Sequence, residues 1–132
     1  MKTAQQYIDS LRQRKIKVYL KVQSLDPQTL VDHPFIRGHV ASAALTFELA
    51  HEPESEDLMT AISHLSGNRI NRFTHIHQSV EDLLKKVKML RMISQKTGTC
   101  YQRCVGFDAL NSLYTVTFEM DQALKTDYHQ RF

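Results

Sequence analysis

The sequence predicts a mostly helical domain with a small strand element. Three observations lead there: apolar residues at helical spacing over several stretches, capping residues at their boundaries, and one short run of strict alternation near the start. The 132 residues fit one domain, and no repeat, linker or low-complexity tract divides them.

Thr3 and Gln6 form a T-x-x-Q capping pattern, and Ala4, Tyr7, Ile8 and Leu11 follow at helical spacing, so a first helix is expected over 3–13. Lys15 to Val22 alternates charged or polar with apolar residues, the pattern of a strand with one wet face. A lone strand buries little, so it must pair within this chain, with another subunit, or with a further part of a larger protein. Residues 24–34 read as a connection holding Asp26-Pro27 and His33-Pro34, with Pro34 suited to the first turn of a helix. Phe35 to Ala50 reads as a buried helix that Glu52-Pro53-Glu54 ends. A short helical segment is expected over 56–63, then a loop through Ser66-Gly67-Asn68. Ser79 is an N-cap with Glu81 and Asp82 in the first turn, where the helix dipole favours acids. Val80, Leu83, Leu84, Val87, Leu90 and Ile93 make one apolar stripe, and Gly98 is a natural stop. The last helix is expected over 108–124, with Leu110, Leu113, Tyr114, Thr117, Met120 and Leu124 on one face.

Apolar residues make up 42% of the chain and charged residues 23%, a globular composition. The net charge of +3 is small, and Lys15, Lys17, Lys21 and Lys85, Lys86, Lys88 read as solvated faces, so no nucleic-acid partner is expected. The N-terminus lacks the apolar core of a signal peptide, and no apolar run approaches the ~18–20 residues that span a bilayer. A soluble cytoplasmic protein without a membrane partner is the expectation. Two cysteines are too few for a secreted disulfide scaffold.

Chemistry concentrates in Thr97-Gly98-Thr99-Cys100-Tyr101-Gln102-Arg103-Cys104-Val105-Gly106. If Thr99 caps a helix, Cys100 and Cys104 share a face with Cβ atoms ~5–6 Å apart. That exceeds the ~3.5–4.5 Å a disulfide prefers. Gly106 argues that such a helix is short; the alternative is an irregular loop ahead of Asp108. A helix N-terminus and Arg103 both favour thiolate, the metal-binding form. Two sulfurs are half of a four-ligand site for zinc or an iron–sulfur cluster, so buried cysteines, metal ligation and redox reactivity all stay open on spacing alone. His75-Ile76-His77 reads either as a polar loop pair or as a second source of ligands. His33, His39, His51, His64 and His129 lack ligand spacing. No G-x-G-x-x-G, P-loop or Ser/His/Asp arrangement is present.

The strings Arg14-Lys15-Ile16-Lys17-Val18-Tyr19, Asp32-His33-Pro34, Asn71-Arg72-Phe73-Thr74-His75-Ile76-His77-Gln78-Ser79 and the TGTCYQRCVG segment resemble the 4-hydroxyphenylacetate 3-hydroxylase family, on its 4-hydroxybutyryl-CoA dehydratase (vinylacetyl-CoA isomerase) branch. The resemblance covers essentially the whole chain. It implies the N-terminal helical domain, residues 1–132, of an acyl-CoA dehydrogenase-like fold, with the middle β-domain and C-terminal helical domain absent. It also implies that Cys100 and Cys104 ligate a [4Fe–4S] cluster, whose remaining ligands, a histidine and a third cysteine, come from the middle domain. The implied reaction removes water from a CoA thioester: FAD takes one electron transiently, and the cluster acts as Lewis acid at the leaving hydroxyl. Tyr101, Gln102 and Arg103 would line the adjoining pocket, or else serve only packing and capping. The partners implied are a CoA thioester, the remainder of the enzyme or a complementary chain, and further copies in a homo-oligomer. Alone, the chain is expected to retain neither cofactor and to be inactive. The competing readings are a non-catalytic helical module for binding or assembly, a small metal or redox protein, and a flavin-dependent aromatic monooxygenase relative, against which the cysteine pair speaks.

Overall fold

The computed structural model describes residues 1–98 and 103–132, the side chains of Arg103 and Cys104 excepted. The chain divides into two compact units, residues 1–56 and 57–132.

In the first unit, helix α1 (Ala4–Arg12) starts with the expected capping box closed in both directions. Gln6 N–H donates to Thr3 Oγ1 at 3.2 Å, and Thr3 N–H donates to Gln6 Oε1 at 2.9 Å. Strand β1 (Val18–Leu20) is shorter than the alternation suggested and pairs within the chain. Its antiparallel partner is β2 (Gln23–Leu25), with Val18 opposite Leu25 and Leu20 opposite Gln23. That corrects the reading of these residues as the start of a connection. The reversal is made by Lys21 at φ 55° and the exposed Val22, with no Gly or Asn to mark it. Asp26 caps a one-turn helix, α2 (Pro27–Leu30), by accepting from Gln28 N–H at 2.9 Å. Pro34 opens a lead-in turn instead of the next helix: Arg37 N–H donates to His33 O at 2.9 Å, and α3 spans Arg37–Glu48. α1 packs on α3, with the Tyr7 and Phe47 rings stacked at 4.8 Å. The buried side of this segment is Ala44 and Thr46, continued by Leu49 and Ala50 in a 3-10 turn, whereas Phe35 is exposed.

The boundary between the units falls in α4 (Glu56–Met59). The helix expected to reach residue 63 stops there, because Thr60–Ile62 form strand β3 and pair antiparallel with β4 (Arg69–Asn71). The loop between them is the one expected around Gly67, whose φ of 69° suits glycine. A 3-10 turn (Arg72–Thr74) and an extended strap over residues 75–78 lead to helix α5 (Val80–Thr97). Both predicted caps of α5 are present: Ser79 Oγ accepts from Asp82 N–H at 3.2 Å, and Gly98 closes the end at φ 67°.

The roll of α5 matches the expected stripe only at its far end: Ile93 is fully buried, as is Met89, and Leu90 is half-buried, but Val80, Leu83, Leu84 and Val87 are 72, 46, 50 and 55% exposed. Inward-facing positions recur at 82, 86, 89 and 93, because two polar residues on that face are pulled into the unit. Asp82 is drawn by Arg72 and His75, and Lys86 by Asp108. Lys85 likewise donates to Asp57 at 2.6 Å, a bond that holds the Asp57 carboxyl below the usual range. Lys85 and Lys86 therefore make tertiary contacts and are not a solvated face.

Helix α6 (Arg103–Leu124) starts five residues earlier than expected and runs straight through Gly106. That corrects the expectation of a short helix or loop there: one glycine in a long, packed helix costs only about 1 kcal/mol. Phe107 is buried, and Leu110, Tyr114, Thr117 and Met120 are half-buried, while Leu113 and Leu124 of the expected face are exposed. Lys125 at φ 56° ends the helix. Among the described residues no helix is long and apolar enough to cross a membrane.

Ile93→Ala and Met89→Ala should each cost about 2–4 kcal/mol through loss of buried volume. Leu84→Ala on the opposite face should cost about 0.5 kcal/mol or less. Urea denaturation of the three variants checks the roll of α5; equal losses at positions 84 and 93 would contradict it.

Candidate functional site

The polar centre of the second unit is built on Arg72, which is 3% exposed. Its guanidinium donates to three backbone carbonyls: Leu58 O at 2.7 Å, Asp57 O at 3.0 Å and Thr60 O at 2.5 Å. It also faces Asp82 Oδ1 at 3.4 Å. Burying a guanidinium is tolerable only when its donors are matched in this way.

Asp82 is the second member. Its Oδ2 accepts from Gln78 N–H at 2.9 Å and from the Ser79 hydroxyl at 3.2 Å, and its Oδ1 lies 3.2 Å from His75 Nε2. Burial pushes the carboxyl pKa up, but the bonds from Gln78 and Ser79 and the close His75 ring outweigh it and bring the value down to about 2. The Asp82 carboxylate is therefore ionised at neutral pH, opposite the Arg72 guanidinium.

His75 and His77 stand on the strap. The pair does lie in a segment without regular secondary structure, but His75 is 3% exposed and His77 half-buried, so it is packed inward and not solvated. The rings meet edge to face at 6.1 Å, and His77 also packs edge-on against Phe107 at 4.7 Å. Burial, reinforced by the nearby Lys86, lowers the His77 pKa, so its imidazole is neutral at pH 7. None of the four ring nitrogens makes a well-aligned hydrogen bond among the described residues. One side chain of α6 clamps the strap. Asn111 Oδ1 accepts from His77 N–H at 2.8 Å, and its Nδ2 donates to His75 O at 3.2 Å and to Phe107 O at 3.0 Å.

This clamp ties α6 to the strap two turns after its start, where Cys104 lies. Cys104 is the second residue of the helix, and Phe107, Asp108 and Asn111 follow at three, four and seven positions. Cys100, Tyr101 and Gln102 lie outside the described residues, as do the side chains of Arg103 and Cys104, so the shared face expected for the two thiols lies outside them too. Among the described residues no group of three His, Cys, Asp or Glu side chains could hold a metal.

Sequence reasoning missed Arg72 and Asp82 as a pair, because nothing in their ten-residue separation marks a contact. It also missed a second junction: His64 Nε2 lies 3.0 Å from the Tyr114 hydroxyl, and His129 packs on Tyr114 at 4.4 Å.

Comparison with known proteins sets these features in context. Residues 3–132 match the family model described as the 4-hydroxyphenylacetate 3-hydroxylase N terminal. The chain is 49% identical, over 98% of its length, to 4-hydroxybutyryl-CoA dehydratase/vinylacetyl-CoA-Δ-isomerase of Clostridium aminobutyricum, and spans 26% of that protein. It superposes with a TM-score of 0.90 and 47% identity on an oxygen-tolerant archaeal 4-hydroxybutyryl-CoA dehydratase from N. maritimus, covering 98% of this chain and 25% of that one. The oxygenase component of 4-hydroxyphenylacetate 3-monooxygenase, complexed with FAD and 4-hydroxyphenylacetate, matches at a TM-score of 0.62 and 23% identity. It covers 73% of this chain and 19% of that one, a likeness of fold alone. The chain thus spans about a quarter of the length of the relatives it matches.

Two outcomes are expected from the polar centre. Because the folded Asp82 pKa lies below its unfolded value, its contribution to stability is complete above about pH 4 and is lost as pH falls toward 2. Asp82→Asn should remove that acid limb and cost about 1–2 kcal/mol at pH 7, discounted for the partial solvent contact of the carboxylate; denaturation across pH checks both. Arg72→Met should cost about 3–5 kcal/mol and Arg72→Lys should not restore it, since an ammonium cannot reach three carbonyls at fixed angles.

Proposed function

Because the chain belongs to the 4-hydroxyphenylacetate 3-hydroxylase N-terminal family, we propose that it is the N-terminal part of a 4-hydroxybutyryl-CoA dehydratase/vinylacetyl-CoA isomerase dependent on FAD and a [4Fe–4S] cluster. The observation that carries this reading is the even match to the dehydratases: nearly half of all positions are identical, over almost the whole chain. The monooxygenase likeness is far lower in identity and speaks for the fold. In this reading residues 1–132 are the helical N-terminal domain of an acyl-CoA dehydrogenase-like enzyme that works in the cytoplasm as a homo-oligomer. The substrate is a CoA thioester.

Cys100 and Cys104 would hold two corners of the cluster, and the remaining ligands would come from the rest of the enzyme. When bound, the cluster supplies Lewis acidity at the leaving hydroxyl and the flavin supplies transient one-electron chemistry. Tyr101, Gln102 and Arg103 would line the pocket beside the thiols. The described residues do mechanical work for that site. Gly98 ends α5 ahead of the two cysteines, and Asn111 locks α6 to the strap two turns after Cys104. A helix held this way keeps its first turn, and the ligand on it, from shifting when a partner domain docks. The chain alone brings half of the ligand set and is inactive.

The test is a chimera in which these 132 residues replace the corresponding first quarter of the C. aminobutyricum dehydratase, purified without oxygen. Iron, flavin absorbance and dehydratase activity are expected in the chimera, and iron should fall away with Cys100→Ala or Cys104→Ala. The 132-residue chain alone should be colourless. A brown, iron-rich chain without the remainder, or a folded chimera indifferent to both cysteine changes, would overturn the reading.

A further inference from the structure

The strap over residues 75–78 is held by its backbone. His75 N–H donates to Arg72 O at 3.1 Å, His77 N–H to Asn111 Oδ1 at 2.8 Å and Gln78 N–H to Asp82 Oδ2 at 2.9 Å, and Asn111 Nδ2 returns a bond to His75 O at 3.2 Å. The two imidazoles add no aligned hydrogen bond to that hold: all four ring nitrogens are buried and lack such a partner among the described residues. Buried polar atoms are nearly always paired, and an unpaired imidazole nitrogen is tolerable only while the ring is neutral. A second proton would add a charge and an N–H donor in a place shielded from solvent and without an aligned acceptor.

The two rings face different groups. His75 Nε2 lies 3.2 Å from Asp82 Oδ1, itself opposite Arg72. His77 packs edge-on to Phe107 at 4.7 Å, and the Lys86 ammonium already lies over that Phe107 ring, 4.9 Å from its centre. Lys86 from α5 and His75 on the strap oppose a positive charge on His77. Asp82 from α5 and Asp108 from α6 favour one, but Asp108 is engaged by Lys86. Burial decides the balance and holds the His77 pKa below its ordinary value. Opening the strap removes the burial, so the proton binds the open form more tightly than the closed one.

We propose that the strap is an acid-released latch: a proton on His77 frees residues 75–78 from α6 while the helices of the second unit stay folded. A short irregular segment tied to α6 through one side chain, Asn111, is the kind of element that opens locally. The balance between closed and open strap is constant above the ordinary histidine value of 6.5 and shifts toward the open form as pH falls below it. Release uncovers Asn111 and one side of Phe107. The latch belongs to the second unit itself and does not depend on the enzyme proposed around it.

Amide hydrogen exchange followed by NMR between about pH 7.5 and about pH 5 tests this on the 132-residue chain. Corrected for the intrinsic rate, protection of the His77 amide should fall severalfold, by no more than the roughly tenfold per pH unit that one proton allows, while that of Ile93 in α5 stays constant. His77→Gln, which keeps a polar side chain without the charge, should flatten the response, and His75→Gln should leave it in place. If His77→Gln does not fold, the wild-type chain decides alone: the His77 ring carbon and the His77 amide should respond over the same pH range. Protection at His77 that is independent of pH overturns the inference. So does a response that survives His77→Gln, one that His75→Gln abolishes, or a joint loss of protection at Ile93 and His77, which is global unfolding.

Discussion

The second unit is organised around one buried cation. The Arg72 guanidinium gathers the carbonyls of Asp57, Leu58 and Thr60, which ties the end of α4 and the start of β3 to the turn after β4. Its remaining edge meets Asp82, and that contact sets the rotation of α5 about its own axis. The inner face of α5 and the bareness of its outer stripe both follow from that rotation. So does the placement of His75, packed against the carboxylate that Arg72 has already claimed. Removing such a cation takes a donor from three carbonyls and from one side of the Asp82 carboxylate at once, which is why its effects reach well beyond its own contacts.

Much of this was legible from residues with local consequences. Thr3 with Gln6, Ser79 and Gly98 act within one turn of themselves, and each was placed correctly from type and spacing. Family membership was legible from four strings spread along the chain, of which TGTCYQRCVG is the most specific. What escaped was set at a distance. The β1–β2 hairpin turns on Lys21 in a left-handed conformation, which no propensity for lysine suggests. The β3–β4 pair owes its stability to neighbours and not to its three-residue strands. Of the apolar stripe expected on α5, Ile93 is buried and Leu90 half-buried, while Val80, Leu83, Leu84 and Val87 lie exposed. Hydrophobic periodicity reports that a face will be covered and is silent about what covers it.

The candidate site divides in the same way. The cysteines were found by spacing, and their partnership came from resemblance alone. The strap histidines were visible as a motif, but their burial depends on Asn111, thirty-six residues away from His75. That α6 runs through Gly106 matters here, because it puts the backbone of Cys104 on the first turn of a long, braced helix.

Asn111 has one further consequence. Its carboxamide is used from both ends, the oxygen toward an N–H and the nitrogen toward two carbonyls, and only one orientation satisfies all three. Deamidation would keep its shape almost unchanged and replace both donors with an anionic oxygen pointed at carbonyl oxygens. A protein that aged by this single hydrolysis would lose its strap without losing an atom of its hydrocarbon interior, and the damage would surface first at the cysteine end of α6.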